Sequence, residues 1–219
     1  MVTVPHTDTH ERGFDMVTVA PLTESVGAIA IIVLSVIGLA GTAEGAMLAI
    51  ATIVIGASIL MQGANTVSEY AELFVAEEAG MVKPGAIGGG ITLEFLAGGA
   101  GVVLGILGLL TPVTVVLSAA ALVVFGGTLL LSAGATVRAS SIQSDSAGMS
   151  VVTQSVMRQA TSVSAGAQIM IGVGAIVLGI LALIGLHSVI LALVGDLAIG
   201  TSLLMVSAGN SVAGLMRRA

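Results

Sequence analysis

Cysteine is absent from the chain, which excludes disulfides and any thiolate-held metal or cluster. Tryptophan is absent as well, and aromatic residues make up only 2%. The aromatic belt that usually marks the two membrane–water boundaries is therefore nearly missing. Charge is the most telling shortage. Charged residues are 8% of the chain, where soluble domains carry roughly 25%. No charged residue falls between Glu94 and Arg138, or between Arg158 and Asp196. The formal net charge is −6, and no basic patch interleaved with aromatics occurs, which argues against a nucleic-acid partner.

What fills the chain is apolar: 56% of residues. About 20 apolar residues cross a bilayer as a helix, so each charge-free run holds two spans and a turn. A closed β-barrel is the other spanning solution, but its strands alternate apolar and polar residues. The run Ala28, Ile29, Ala30, Ile31, Ile32, Val33, Leu34 does not alternate. The expected fold is an all-α membrane protein of six transmembrane helices, at 26–40, 45–63, 95–110, 113–133, 169–185 and 188–207. They pair as three helical hairpins, with turns at Gly41–Thr42, Thr111–Pro112 and Leu186–His187. Pro112 suits the first turn of a helix, where its missing N–H costs nothing. The first 24 residues hold Asp8, Glu11, Arg12, Asp15 and Glu24, and the apolar run after them begins too late for a signal peptide. It reads as the first span.

Basic residues set the orientation. Arg12 precedes the first span, Lys83 lies between spans two and three, Arg138 and Arg158 lie between four and five, and Arg217 and Arg218 end the sequence. The three short turns have none. By the positive-inside rule, both termini and both long connections lie in the cytoplasm, and the protein is a multi-pass protein of the inner (plasma) membrane.

An internal repeat underlies the hairpins. A shift of 70 residues sets Glu24 on Glu94, Val33 and Leu34 on Val103 and Leu104, Gly38 and Leu39 on Gly108 and Leu109, and Gly56 on Gly126. A further shift of 74 sets Glu94 on Gln168, Leu104 to Leu107 on Leu178 to Leu181, and Gly126 on Gly200. The chain then divides into a tail (1–24), hairpins at 25–64, 94–134 and 168–219, and connections at 65–93 and 135–167. With an even number of spans per unit, the repeats are parallel. A pseudo-threefold ring about the membrane normal is the natural expectation, and a linear row has the same sequence signature.

The repeat carries a line of small residues. Gly98, Gly101, Gly105 and Gly108 in span three follow the 3-4-3 spacing of one helix face. Span five has Gly172, Ala175, Gly179 and Ala182 at the matching places, and span one has Ala28, Ile31, Ser35 and Gly38. Lipid gives helices little hydrophobic reason to associate, so close backbone approach along small residues has to hold them together. A packing seam is the reading of these glycines. A phosphate cradle would need a soluble strand–loop–helix context.

The connections carry helical signals of their own. Val67, Tyr70, Ala71 and Phe74 recur at helical spacing, with Glu69, Glu72, Glu77 and Glu78 nearby. This extends span two as an amphipathic helix until Lys83, Pro84 and Gly85 stop it. Residues 140–150 are Ser-rich and read as loop. Val152, Val156, Ala160 and Val163 mark one face of an interfacial helix.

Few polar residues could carry chemistry. Asp196 lies near the middle of span six, with Thr52 and Leu122 as its repeat equivalents. A carboxyl at that depth is expensive and marks a candidate functional site. The plainer alternative is a helix-linking hydrogen bond. Glu24, Glu94 and Gln168 recur at the start of the odd spans. A carboxylate ring of that kind selects cations, while the plainer account is the helix dipole, which favours Glu there. Glu44 has the same account. His6, Asp8, His10 and Glu11 form a short cluster with weak metal-binding chemistry, but tails of this sort are commonly just solvated, and no metal is assigned. His187 sits in a turn. No catalytic constellation and no cofactor motif are present, so the reading is non-enzymatic.

One hairpin also resembles a known pattern. Gly101, Val102, Val103, Leu104, Gly105, Ile106, Leu107, Gly108, Leu109, Leu110, Thr111 and Pro112, followed by an apolar span with Gly126 and then Gly134, resemble the short repeat of HdeD-like bacterial membrane proteins. Gly179, Ile180, Leu181, Ala182, Leu183 and Gly200 look similar, and the first hairpin more loosely. The segments 65–93 and 135–168 are longer than that family's compact loops. The resemblance implies six spans and an association with acid or envelope stress, and supplies no catalytic residues. The functional expectation is a structural, assembly or stress-protection protein, forming a homo-oligomer or joining a membrane complex. The alternatives are a small ion or proton conductor using Asp196 with Glu24 and Glu94, and an accessory anchor subunit.

Overall fold

A computed structural model describes the backbone of residues 12–78, 88–143 and 151–216, and the side chains of 25–64, 93–133 and 166–207. Among the described residues every regular element is α-helical. In chain order these are α1 (Arg12–Leu39), α2 (Glu44–Glu78), α3 (Gly88–Leu110), α4 (Thr114–Gln143), α5 (Val151–Leu183) and α6 (Ser188–Met216). Five helices contain a segment long and apolar enough to cross a membrane: Glu44–Ala64, Leu93–Leu110, Thr114–Ala133, Gly166–Leu183 and Ser188–Ser207. In α1 the described apolar stretch, Ser25–Leu39, is shorter.

Several helices outrun the spans that hydropathy marks. The amphipathic segment after span two is the continuation of α2, which runs unbroken to Glu78. Two expectations need correction. Ser140 and Ser141 are not loop, because α4 continues to Gln143. The segment holding Val152, Val156, Ala160 and Val163 is not a separate interfacial helix, because α5 runs continuously from Val151 to Leu183. Backbone hydrogen bonding propagates cheaply once a helix is nucleated, so polar residues flanking a span join it. The stop at Lys83, Pro84 and Gly85 falls outside the described residues.

The first and third hairpin turns share one geometry. Gly41 and Gly185 adopt positive φ (84° and 93°), and two residues later so do Ala43 and His187 (46° and 40°). In each, a 6→1 and a 5→2 type bond close the preceding helix: Thr42 N–H to Ile37 O with Gly41 N–H to Gly38 O, and Leu186 N–H to Leu181 O with Gly185 N–H to Ala182 O. This is the Schellman pattern, and glycine takes the left-handed position without a Cβ penalty. The middle turn replaces it with Thr111, Pro112 and Val113. Thr111 donates its hydroxyl to Leu107 O (2.8 Å) and Thr114 to Gly108 O (2.6 Å). Pro112 lies just ahead of α4, not inside its first turn.

The three hairpins close into a ring. Neighbours in sequence pack on each other, α1 also packs on α6, and α2, α4 and α6 touch one another across the middle. A linear row would leave α1 and α6 apart, so the α1–α6 contact selects the ring. The even helices form its inner triangle, and the odd helices wedge between them on the outside.

Burial follows that plan. All twelve positions of the small-residue line are buried, from Ala28 to Gly38 on α1, Gly98 to Gly108 on α3 and Gly172 to Ala182 on α5. On the opposite face of the same helices, large apolar residues stand exposed at helical spacing: Val26, Ile29 and Val33 on α1, Met170, Val173 and Val177 on α5. Contiguous exposed apolar faces of this extent are foreign to soluble monomers and suit lipid. The protein is an all-α, multi-pass membrane protein.

Candidate functional site

The contacts between hairpins recur with the offsets found in the sequence. A methyl group on Gly56 would come 2.7 Å from Gly98 O and Val102 N, and one on Gly126 would come 2.6 Å from Gly172 O and 3.0 Å from Ile176 N. On Gly105 it would meet Ala49 O at 3.0 Å, and on Gly179 it would meet Ala119 O at 3.0 Å. Such approach of backbone to backbone is possible only without a Cβ, and it gives dispersion its shortest range. Phe125, fully buried, occupies the space beside Gly101. Gly108 and Gly38 lie nearer the turns, where a methyl group on Gly38 would meet Leu193 Cδ2 at 2.9 Å.

The buried residues of α2, α4 and α6 fall into rows of three at the 70- and 74-residue offsets of the sequence. Nearest the turns lie Leu48, Ser118 and Ala192, followed by Thr52, Leu122 and Asp196. Ile55, Phe125 and Ile199 come next, then Ile59, Leu129 and Leu203. Every one of them is buried. The last two rows belong to one continuous apolar cluster that also takes in Ala28, Ile31, Ala121 and Ala175. Leu122 reaches across to Gly195, where any Cβ would collide with it.

Polar groups in this interior divide into satisfied and unsatisfied. Thr52 donates its hydroxyl to Leu48 O (2.9 Å), and Thr128 to Val124 O (2.9 Å), the local bond open to any hydroxyl on a helix. Asp196, 1% exposed, has an oxygen, Oδ2, with no hydrogen-bond partner among the described residues. The hydroxyls of Ser35 and Ser118, equally buried, have none either. Most buried polar atoms find a partner, so three orphans on α1, α4 and α6 are an exception that needs a cause.

The other candidates are scattered. Glu94 is half-buried at the end of α3 remote from its turn, hydrogen-bonds with Ser132 of α4, and keeps Oε2 buried without a partner. Gln168 is half-buried on α5. Glu24 lies within α1, but its side chain is outside the described residues, as is the cluster of His6, Asp8, His10 and Glu11. Glu44 opens α2, and His187 is exposed in its turn. Among the described residues no three His, Asp or Glu side chains converge on a common point. An open groove between α3 and α4, lined by Leu93, Leu96, Val124, Gly127, Thr128 and Leu131, is mostly apolar.

Sequence reasoning singled out Asp196 but missed its surroundings. Ser35 entered only as one small residue of a packing line, and Ser118 did not enter at all. The available signal was the repeat column: Ser35 stands where the other two units have Gly105 and Gly179, and Ser118 where they have Leu48 and Ala192. The chain matches no family model, and neither the curated proteins nor the solved structures yield a match.

Proposed function

We propose that this multi-pass membrane protein is non-enzymatic and acts as a packed structural body, serving assembly or envelope and acid-stress protection, and not as a conduit. One observation carries the reading: the two rows Ile55, Phe125, Ile199 and Ile59, Leu129, Leu203 are apolar and buried, and they fill the ring on the side of Asp196 away from the turns. Conduction needs a wet or polar path, such as rings of carbonyls or charged side chains, and those rows offer none. The resemblance to HdeD-like proteins points the same way, and the exposed apolar belt suits further copies or a membrane partner as well as lipid. The deciding measurement is proton and cation flux in reconstituted vesicles. Flux should equal that of protein-free vesicles. A flux that a folded Asp196→Asn protein loses would overturn the reading.

A second reading, an ion or proton role centred on Asp196, is favoured by its orphan oxygen and is what that flux measurement would uncover. The basic residues support an orientation with both termini cytoplasmic. Single cysteines at Thr42, Thr111 or His187 should then react with impermeant thiol reagents from outside the cell, and cysteines at Lys83 or Ser144 should not. The absence of native cysteine keeps the background clean. Outside labelling at Ser144 would reverse the orientation.

A further inference from the structure

Five of the six neighbouring pairs in the ring are consecutive in the chain, and only α6 and α1 are not. The chain thus tethers every junction but this one. The residues along it are also larger. By the 70- and 74-residue offsets, Ala28 stands where α3 and α5 have Gly98 and Gly172. Ile31 stands where they have Gly101 and Ala175, and Ser35 where they have Gly105 and Gly179. On the facing helix, Leu193 stands where α2 and α4 have Ala49 and Ala119. At the other two junctions these columns meet through backbone: a methyl group on Gly105 would lie 3.0 Å from Ala49 O, and one on Gly179 3.0 Å from Ala119 O. At the α6–α1 junction the nearest approaches are to side chains. A methyl group on Gly200 would lie 2.9 Å from Ile31 Cγ2, and one on Gly38 2.9 Å from Leu193 Cδ2.

We propose that the ring opens reversibly at this junction, with α1 swinging off α6 as a lateral flap. The turn at Gly41 and Ala43 holds α1 to α2 and serves as the hinge, since a few residues at the end of an element can absorb such a motion. The closed state carries its own bias toward opening. The Ser35 hydroxyl on α1 and Asp196 Oδ2 on α6 are buried without a hydrogen-bond partner among the described residues. A buried polar group left unpaired destabilises the state that buries it. Opening gives Ser35 access to a polar partner, while the junctions that set backbone against backbone stay shut. The apolar rows of α2, α4 and α6 remain in place, so a flap on the outside gives no path across the membrane. The inference goes beyond the structural role proposed above, and vesicle flux does not decide it.

The experiment uses the full chain in detergent, where the absence of native cysteine lets an introduced thiol report. Ser35→Cys and Ala175→Cys each place one thiol at a fully buried position, on α1 and α5. Labelling with N-ethylmaleimide is followed by peptide mass. The rate at a buried thiol follows the open fraction, so position 35 should react about tenfold faster than position 175 or beyond. A lock tests the cause. Ser25 Oγ and Ser207 Oγ are 2.6 Å apart, so Ser25→Cys with Ser207→Cys brings two sulfurs within reach of a disulfide. In that background, once oxidised, position 35 should label as slowly as position 175, and reduction should restore its rate. Equal rates at 35 and 175 in the unlocked protein overturn the proposal, as does a rate at 35 that ignores the lock. If a variant does not fold, hydrogen exchange on the wild-type chain still decides. Amides of 28–38 should exchange faster than those of 98–108 and 172–182, and equal protection of the three segments overturns the proposal.

Discussion

At the α2–α3 and α4–α5 junctions backbone meets backbone, while at the α6–α1 junction that closes the ring a side chain stands in between. Gly56 lies against Gly98 O and Val102 N, and Gly126 against Gly172 O and Ile176 N. Gly200, the third member of that column, has side-chain atoms as its nearest neighbours, Ile31 Cγ2 and Cβ and Ile32 Cγ1. The columns facing it explain why. Where α3 and α5 offer Gly101 and Ala175, α1 offers Ile31. Two junctions set backbone against backbone, and the third sets a branched side chain against the glycine. The junction that differs is the one at which the ring closes.

Substituting the glycines is the strongest way to break that contrast. Gly126→Leu should cost the most, because the new side chain would have to displace backbone. Overpacking typically costs about 1–3 kcal/mol and sometimes more, and loss of assembly is expected. Gly127→Leu, one residue on, faces open space and should melt like wild type. Alanine sharpens the comparison. An alanine gains up to about 1 kcal/mol in helix propensity over glycine, which is smaller than the clash at Gly126 and comparable with the yielding of the Ile31 and Ile32 side chains at Gly200. Gly126→Ala should therefore lower stability clearly, and Gly200→Ala should stay within about 1 kcal/mol of wild type. Detergent melting of the variants checks the order. Equal losses at Gly126 and Gly200 would dissolve the distinction between the junctions.

The difference between junctions also marks how far the amino-acid sequence could be read. Long charge-free runs and their interruptions reveal spans and turns, because a helix in lipid has to satisfy its backbone internally and carry little charge. The 3-4-3 spacing of Gly98, Gly101, Gly105 and Gly108 is visible because small residues are needed where helices approach closely. Helix ends were less legible: hydropathy stops at the membrane boundary, whereas α2, α4 and α5 carry their hydrogen bonds past it. Ring closure was expected from the parallel repeat but could not be separated from a linear row, since it depends on contact between the first and last helices, which leaves no local pattern. Ser35 shows the same limit within the candidate site. A serine in a row of glycines looks like one more small residue until its hydroxyl proves to be buried without a partner.

The smallest expected effect lies at the other end of the closing junction. Ser25 Oγ and Ser207 Oγ are hydrogen-bonded at 2.6 Å across α1 and α6. The same column is apolar at the α2–α3 junction, where a methyl group on Gly63 would lie 3.5 Å from the Phe95 ring. At the α4–α5 junction the column holds Ala133 and Ile169. A polar pair has thus replaced an apolar contact only where the ring closes. Interhelical hydrogen bonds in membranes couple by about 0.6 kcal/mol on average, because the separated helices also find partners. Both serines make other interactions, so single substitutions mix several effects. A double-mutant cycle of Ser25→Ala and Ser207→Ala isolates the mutual part. A coupling of about 0.6 kcal/mol, measured by denaturant titration, would show that the closing junction relies on polar contact where the others rely on shape. A coupling of zero would mean that shape alone holds all three, and that the hydroxyl pair is incidental to closure.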